Sequence, residues 1–416
     1  MDDDHNAERT LPTDVDKRVE EVPDPNERYT CLGPESRRVF ADWLTPIENH
    51  YVLHRSNTPD LDASSWTVSL TGALDGVTLS VEELKTEYPT LTVAHTMECA
   101  GNCRAYFDPP VSSVEWGLEG VSTAVWTGAS LQAVLTDHGL ENEDTWVTAI
   151  GGDDPGTDGD AFARSIPTSK ALKDCILAYE MNGTELPREH GAPVRLLVPG
   201  WYGVNSVKWL EELRVMDTMV YGPEWDQRRG EPYYTRWQQE GYRIVPAGEE
   251  PEPNPSVPVF DTWDQLRHDE IDHPYTFDAN VKSIIAHPTG EEPVTQREDG
   301  TVEVLGVAWA GDDDVTTVEI STDGGETWET GRFLHPPVPN AWRTFRYLWE
   351  PEPGAYTLTS RATDDRGRTQ PATIGSPETG LETFEDDVYP WNEGGYAANA
   401  YEPLTVDVTV RSASST

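Results

Sequence analysis

Near the middle of the chain the sequence reads Glu249-Glu-Pro-Glu-Pro-Asn-Pro-Ser-Val-Pro258, and no ordinary core can be built through such a stretch. Its prolines remove backbone donors and its acids hold it in water, so it reads as a linker or an extended loop. With 416 residues the chain is also too long for one core. Two folded units are therefore expected, over residues 28–248 and 280–416, joined by residues 249–279. Residues 1–27 are polar, show no periodicity, and read as a disordered or loose arm.

The two units differ in pattern. In the first, strand-like runs (Tyr51-Val-Leu, Trp66-Thr-Val-Ser-Leu, Leu91-Thr-Val-Ala, Val194-Arg-Leu-Leu-Val) interleave with short helix signals. Ser80 before Val-Glu-Glu-Leu-Lys and Ser130 before Leu-Gln-Ala-Val-Leu stand where N-caps would, and the mixture predicts an α+β fold. In the second, Val302–Trp309, Thr317–Ser321, Arg343–Trp349, Tyr356–Ala362 and Leu404–Val410 alternate with period two, and Asp323-Gly324-Gly325 is a hairpin turn signal. Five such runs predict a β-sandwich.

The chain carries 75 acidic against 30 basic residues, a formal net charge of -45. The acids are spread along the whole length, and 15 Trp argue for a folded core rather than disorder. A carboxylate-covered folded protein suits molar salt, where self-repulsion is screened within about 3 Å. Such a surface repels nucleic acid and anionic lipid, so neither is an expected partner. Four cysteines (Cys31, Cys99, Cys103, Cys175) are too few for a disulfide framework. No signal peptide and no apolar run of about 18 residues is present, which leads to the expectation of a soluble, cytoplasmic protein.

Chemistry concentrates in His95-Thr-Met-Glu-Cys-Ala-Gly-Asn-Cys-Arg104. Cys99 ends an apolar stretch and enters Ala-Gly-Asn, a tight turn expected to leave its sulfur uncovered. A thiolate so held is a nucleophile or a soft metal ligand. The Cys99–Cys103 spacing suits neither a redox pair nor a zinc knuckle. His95 lies about 13 Å back along an extended strand, too far for a hydrogen bond. An inert buried thiol is the third reading, and these residues alone leave all three open. Further on, His190 and Arg195, five apart at a strand entrance, can hold an anion. Lys208, after Gly203-Val-Asn-Ser-Val, reads as a surface charge or as part of a phosphate cradle.

Several motifs in one order resemble the sulfite oxidase family of molybdopterin enzymes. They are Cys99-Ala-Gly-Asn, Trp116-Gly117 followed by Ser122-Thr-Ala-Val-Trp, Ala178-Tyr-Glu-Met-Asn-Gly, Leu186-Pro-Arg-Glu-His-Gly-Ala-Pro-Val-Arg195 and Val207-Lys-Trp-Leu. Val318-Glu-Ile-Ser-Thr-Asp-Gly-Gly-Glu-Thr-Trp328 and the stretch Trp391–Ala400 resemble that family's immunoglobulin-like dimerisation domain. The resemblance spans about residues 45–412 and, with the composition, is to an acidic, haloarchaeal-type member. It implies a molybdopterin-binding domain over 28–248, a homodimer through 280–416, and two-electron oxygen-atom transfer at a molybdenum–molybdopterin centre. The same scaffold run as a reductase of nitrate or of an S- or N-oxide is the alternative. A cofactor-free binding protein is a further rival, against which the intact Cys99 argues.

By this resemblance Cys99 is the protein's ligand to molybdenum. His190, Arg195 and Lys208, with His54, Arg55, Asp154, Asn205 and Ser206, hold the pterin and its phosphate. Arg104 lines the pocket for a small anionic or oxo-containing substrate. Tyr242, in Trp237-Gln-Gln-Glu-Gly-Tyr-Arg, is the active-site tyrosine, with Tyr234 as the alternative. The chain departs from the family pattern in three places. Leu53 stands where a substrate-binding arginine is usual, which leaves Arg55 as the nearby catalytic cation. Cys103 replaces a second arginine, and Asn205-Ser206 replace Arg-His near the phosphate. No haem or flavin is expected in the chain, so electrons are expected to leave to a separate acceptor.

Overall fold

A computed structural model describes residues 19–22, 30–54, 58–153, 162–221 and 237–413, except 255, 269, 382, 383, 385 and 386. Among the described residues, its first half is mostly strand with four short α-helices. In chain order come β1 (Val19–Glu21), β2 (Thr30–Pro34), β3 (Val52–His54), β4 (Thr67–Gly72), β5 (Thr78–Ser80), α1 (Val81–Thr86), β6 (Thr90–Glu98), β7 (Val121–Ser130) and α2 (Leu131–Asp137). Then follow β8 (Trp146–Gly151), β9 (Ala163–Pro167), α3 (Thr168–Lys173), β10 (Ile176–Met181), β11 (Thr184–Glu185), β12 (Arg195–Leu197), β13 (Leu210–Met216) and α4 (Thr262–Gln265). One sheet runs β11-β10-β7-β6 with β12 also on β10, a second runs β5-β4-β13-β8-β9, and β1-β2-β3 form a small third. The serine caps behave as the sequence predicts. Ser80 accepts from the Glu83 amide while the Glu83 carboxylate accepts from Ser80, and Ser130 accepts from Ala133. The α+β expectation holds, with strands dominating.

The second half is a β-sandwich. Its strands are β14 (Lys282–His287), β15 (Val294–Thr295), β16 (Val302–Trp309), β17 (Val315–Ser321), β18 (Glu329–Thr330), β19 (Arg332–Phe333), β20 (Arg343–Trp349), β21 (Gly354–Asp364), β22 (Thr373–Ile374), β23 (Val388–Tyr389) and β24 (Val406–Arg411). One sheet is β14-β16-β20-β19 and the other β15-β24-β21-β17-β18. All five alternating runs are strands. Asp323-Gly324-Gly325 turns β17 into β18, with both glycines at positive φ. β14 was not legible from alternation, because five of its six residues are buried. It is covered on the outside by Arg37–Ala41, whose Phe40 ring meets Trp342 edge-on at 6.0 Å. Strands covered on both faces lose the period-two signature.

Two expectations about connecting segments differ from the structure. Three residues of the segment read as a loose arm, Val19–Glu21, pair antiparallel with β2. Within 249–279 the chain after the proline-rich beginning returns to the folded interior. Val257, Trp263, Ile271, Tyr275 and Phe277 are all buried, and Tyr275 and Phe277 belong to the core of the first unit. Apolar residues after Pro258 override the linker signal of the prolines before it.

The two units meet along a buried seam. Glu98, the last residue of β6, receives Lys282 Nζ at 2.5 Å, the Trp309 indole N–H at 2.9 Å and the Asn102 amide at 3.1 Å. The Lys282 and Glu98 side chains are 1% and 0% exposed. Burial alone would lower the Lys282 pKa, but Cys103 and Glu98 together reverse this and raise it. Ala397 donates its amide to Ala100 O at 2.7 Å, and Lys170 pairs with Asp312 at 2.7 Å. Among the described residues no helix is long and apolar enough to cross a membrane. Lys282→Met strands the Glu98 carboxylate and is expected to cost about 3–5 kcal/mol in denaturant unfolding. The double variant with Glu98→Gln should recover most of that loss. An unchanged unfolding midpoint in the single variant would show that the pair contributes nothing.

Candidate active site

Cys99 follows β6 directly and is fixed by backbone bonds. Its amide donates to Gly120 O at 2.7 Å, and its carbonyl accepts from the Asn102 amide at 2.9 Å. The Asn102 side chain bridges Glu98 and the Gly120 amide, and Cys103 turns the chain with φ 75. The turn does not leave the sulfur uncovered as the sequence led us to expect: Cys99 is 9% exposed. Burial raises its thiol pKa, opposed by Arg104, the Gly101 amide and the nearby Trp116 indole. A thiol so shifted is a poor free nucleophile, whereas a coordinated metal would deprotonate it outright. His95 offers no base, since it accepts from the Gly200 amide and burial lowers its pKa to about 3.

On one side of Cys99 lies a cationic group. Arg195, on β12, is 1% exposed and points Nη1 at His190 O (2.9 Å) and Nη2 at Ser206 O (2.7 Å). Its guanidinium lies 5.1 Å from the Trp126 ring centroid, and burial pulls its pKa down to about 10. Lys208 reaches Glu189 O and, at 3.1 Å, Leu53 O. His190 meets His50 edge-on at 4.9 Å, while His54 bonds Thr58 and packs on Trp209. Gly191, with φ 106, binds the group together. A Cβ there would sit 3.0 Å from Lys208 Cα and 3.1 Å from Arg195 Cβ. The side chains of Asn205 and Ser206 serve the scaffold: Asn205 donates to Tyr202 O and Thr276 O, and Ser206 Oγ accepts from Val198.

On the other side stand two arginines and two tyrosines. Arg104 donates to Gly394 O (2.8 Å) and Val114 O (3.0 Å), and its guanidinium lies 5.1 Å from the Tyr396 ring. Tyr396 stacks on Tyr242 at 5.4 Å and 29°, and Arg164 lies 4.7 Å over the Tyr242 ring. The structure thus brings Cys99, Arg104 and Tyr242 to one end and His54, His190, Arg195 and Lys208 to the other. Arg55, Asp154 and Tyr234 lie outside the described residues. Arg164, Tyr396, Glu98 and Lys282 were missed by sequence reasoning. An arginine inside the buried run Ala163-Arg-Ser-Ile-Pro was the signal available for the first.

A bound molybdopterin can be tested against these donors. Arg195 is a buried cation whose hydrogen bonds go to neutral carbonyls and a thioether, and its Nε has no partner. No carboxylate pairs with it among the described residues. The buried indole N–H of Trp126 is also unpartnered, and its ring shares one cluster with Cys99. Unspent donors and an uncompensated guanidinium fit an anionic, acceptor-rich group.

Two family models match the chain. "Oxidoreductase molybdopterin binding domain" covers residues 55–223 and "Mo-co oxidoreductase dimerisation domain" covers 273–377. Mitochondrial sulfite oxidase of Homo sapiens is 30% identical over 407 residues, 92% of this chain and 67% of that protein. The chain belongs to the sulfite oxidase family of molybdopterin oxidoreductases. Another member, sulfite oxidase of Gallus gallus, is 34% identical over 318 residues, 74% of this chain and 62% of that one. The chain spans about two thirds of the length of these relatives. In fold it matches the sulfane dehydrogenase SoxCD of Paracoccus pantotrophus with a TM-score of 0.71 at 21% identity, over 99% of this chain and 96% of that one.

Arg195→Met should lower pterin retained after gel filtration by roughly tenfold or more, because a charge-assisted contact is lost. Retention equal to wild type would remove Arg195 from the cofactor site. In cofactor-free protein, Cys99 should alkylate with a pH midpoint above that of free cysteine. A midpoint below it would mean that Arg104 outweighs burial.

Proposed function

We propose that this chain is a molybdenum-dependent oxidoreductase that oxidises a small sulfur oxyanion such as sulfite by oxygen-atom transfer. The observation that carries this reading is the pairing of a buried Cys99 with an uncompensated, fully buried Arg195 in a member of this family. The cofactor, when bound, supplies two-electron oxygen-atom chemistry. Sulfite and water become sulfate, two protons and two electrons, and the electrons leave to a separate acceptor.

The chain's own residues do the rest. Cys99 offers the soft ligand, and its burial keeps water and oxidants from the sulfur. Arg195, His190 and Lys208 hold the pterin end. Arg104, fixed by two carbonyls and lying against Gly101, presents charge beside the sulfur without reorganising. The Tyr242 hydroxyl serves as a hydrogen-bond donor to a substrate oxygen. The second domain joins two copies into a homodimer, consistent with the family model that matches it.

Protein produced with molybdate should contain about one molybdenum per chain, as a single-thiolate site requires. Cys99→Ser should keep pterin and lose turnover. Zinc, or no metal, in molybdate-supplied protein would sink the reading. Sulfite, nitrate and sulfoxides assayed side by side with artificial redox partners set the direction of transfer: nitrate or sulfoxide reduction without sulfite oxidation would reverse it.

The net charge of -45 supports a second proposal, that the protein works in concentrated salt. Its melting temperature should rise between about 0.1 and about 2 M KCl as self-repulsion is screened. A fall over that range would refute salt adaptation.

A further inference from the structure

We propose that Gln238 is a positioning residue for Tyr242: its side-chain amide pairs with the open edge of β9 and thereby sets where the Tyr242 hydroxyl stands. The inference rests on the reading above of Tyr242 as a donor to a substrate oxygen.

β9 is the last strand on its side of the sheet β5-β4-β13-β8-β9, so one row of its backbone groups has no strand to pair with. At Ser165 that row is met by a side chain instead. Gln238 Oε1 accepts from the Ser165 amide at 2.8 Å, and Gln238 Nε2 donates to Ser165 O at 2.8 Å. A primary amide carries the same kinds of donor and acceptor as a peptide group, so Gln238 acts as a one-residue strand. It is 3% exposed, and both bonds are shielded from water. The Ser165 hydroxyl is itself engaged, with Thr148 Oγ1 at 2.7 Å and the Val220 amide at 2.8 Å, which keeps this edge from shifting.

Gln238 lies in the turn that leads into Tyr242. Trp237–Gly241 form a single π-helical turn, closed by the Tyr242 amide donating to Trp237 O at 2.9 Å. Such wide turns are rare and need support from outside. Gly241 permits this one, since a Cβ there would sit 2.6 Å from the Trp237 ring. The turn buries two neighbouring glutamines that reach in different directions. Gln238 goes to β9, while Gln239 Oε1 accepts from the Tyr275 hydroxyl at 2.6 Å and the Asn254 amide at 3.0 Å. Arg243 donates to the same Tyr275 hydroxyl at 3.0 Å. The backbone around Tyr242 is thus held between β9 and the segment that returns through Tyr275. The phenol ring is held by packing, on Tyr396 at 5.4 Å and under Arg164, the neighbour of Ser165, at 4.7 Å. Stacked groups tolerate sliding in their own plane, whereas the directional bonds of Gln238 fix the ring's place along the strand.

The test uses molybdenum-loaded enzyme, with sulfite and ferricyanide, in a double-variant cycle of Gln238→Met and Tyr242→Phe. Acting through the phenol, Gln238→Met should lower kcat/KM roughly tenfold beside Tyr242 but less than about twofold in the Tyr242→Phe background. A general loss of structure would lower both alike. Gln238→Asn carries its amide on a shorter arm, cannot make both bonds and should fall between. It keeps the test decisive if the Met variant fails to fold. Separately, a fluorotyrosine in place of Tyr242 is followed by fluorine NMR, and its signal should shift and broaden in either Gln238 variant whatever the activity. Equal losses in both backgrounds, or an unmoved fluorine signal, would overturn the proposal. A moved signal with Tyr242→Phe enzyme as fast as wild type would keep Gln238 as what places the phenol and overturn the role given to Tyr242. A moved signal in an enzyme that cannot oxidise sulfite would overturn the sulfite reading instead.

Discussion

Glu98 and Lys282 meet in the interior, one at the end of β6 and the other at the start of β14, and neither has access to water. Each would be costly alone, so each fixes the other. Glu98 is the residue before Cys99, and Lys282 opens the second domain's first strand. The same carboxylate also takes the Trp309 indole and the Asn102 amide, and Asn102 in turn holds Gly120. The turn that carries the sulfur is thus referenced to both domains at once. Cys103 also lies against this ion pair. Its thiol lies 3.7 Å from Lys282 Nζ, so the other domain supplies the positive charge there.

The site is consequently a joint product of the two halves. The first domain supplies Cys99, Arg195, Lys208 and Arg164. The second supplies Tyr396, the carbonyl that aligns Arg104, and the amide of Ala397 that pins Ala100. The second half of the chain, through Gly394, Tyr396 and Ala397, therefore also borders the candidate site.

Much of this was legible in the sequence. The amphipathic strands of the sandwich and the serine caps of α1 and α2 obey local rules, and local rules can be read locally. The residues around Cys99 were legible as motifs. What stayed hidden depends on contacts distant in sequence. β14 shows no alternation because Arg37–Ala41 covers its second face. Lys282 looked like any lysine until Glu98 stood 2.5 Å away. The prolines before Pro258 read as a linker, yet Tyr275 and Phe277 return to the core of the first unit. The expected exposure of Cys99 failed for the same reason: a tight turn sets the direction of a side chain, and residues distant in sequence, Cys31, Tyr51, Trp126 and Ala178 among them, decide whether it meets solvent.

The position of Phe40 has an effect on how the molecule comes into being. This ring, near the beginning of the chain, packs against Trp342, and the Trp342 indole donates to Trp43 O at 2.7 Å. On the ribosome, the segment around Phe40 emerges some three hundred residues before its partner. It must wait, apolar and uncovered, until that distant partner has been made. A segment made early is then among the last to lock, and the two halves close as one object rather than as beads on a string.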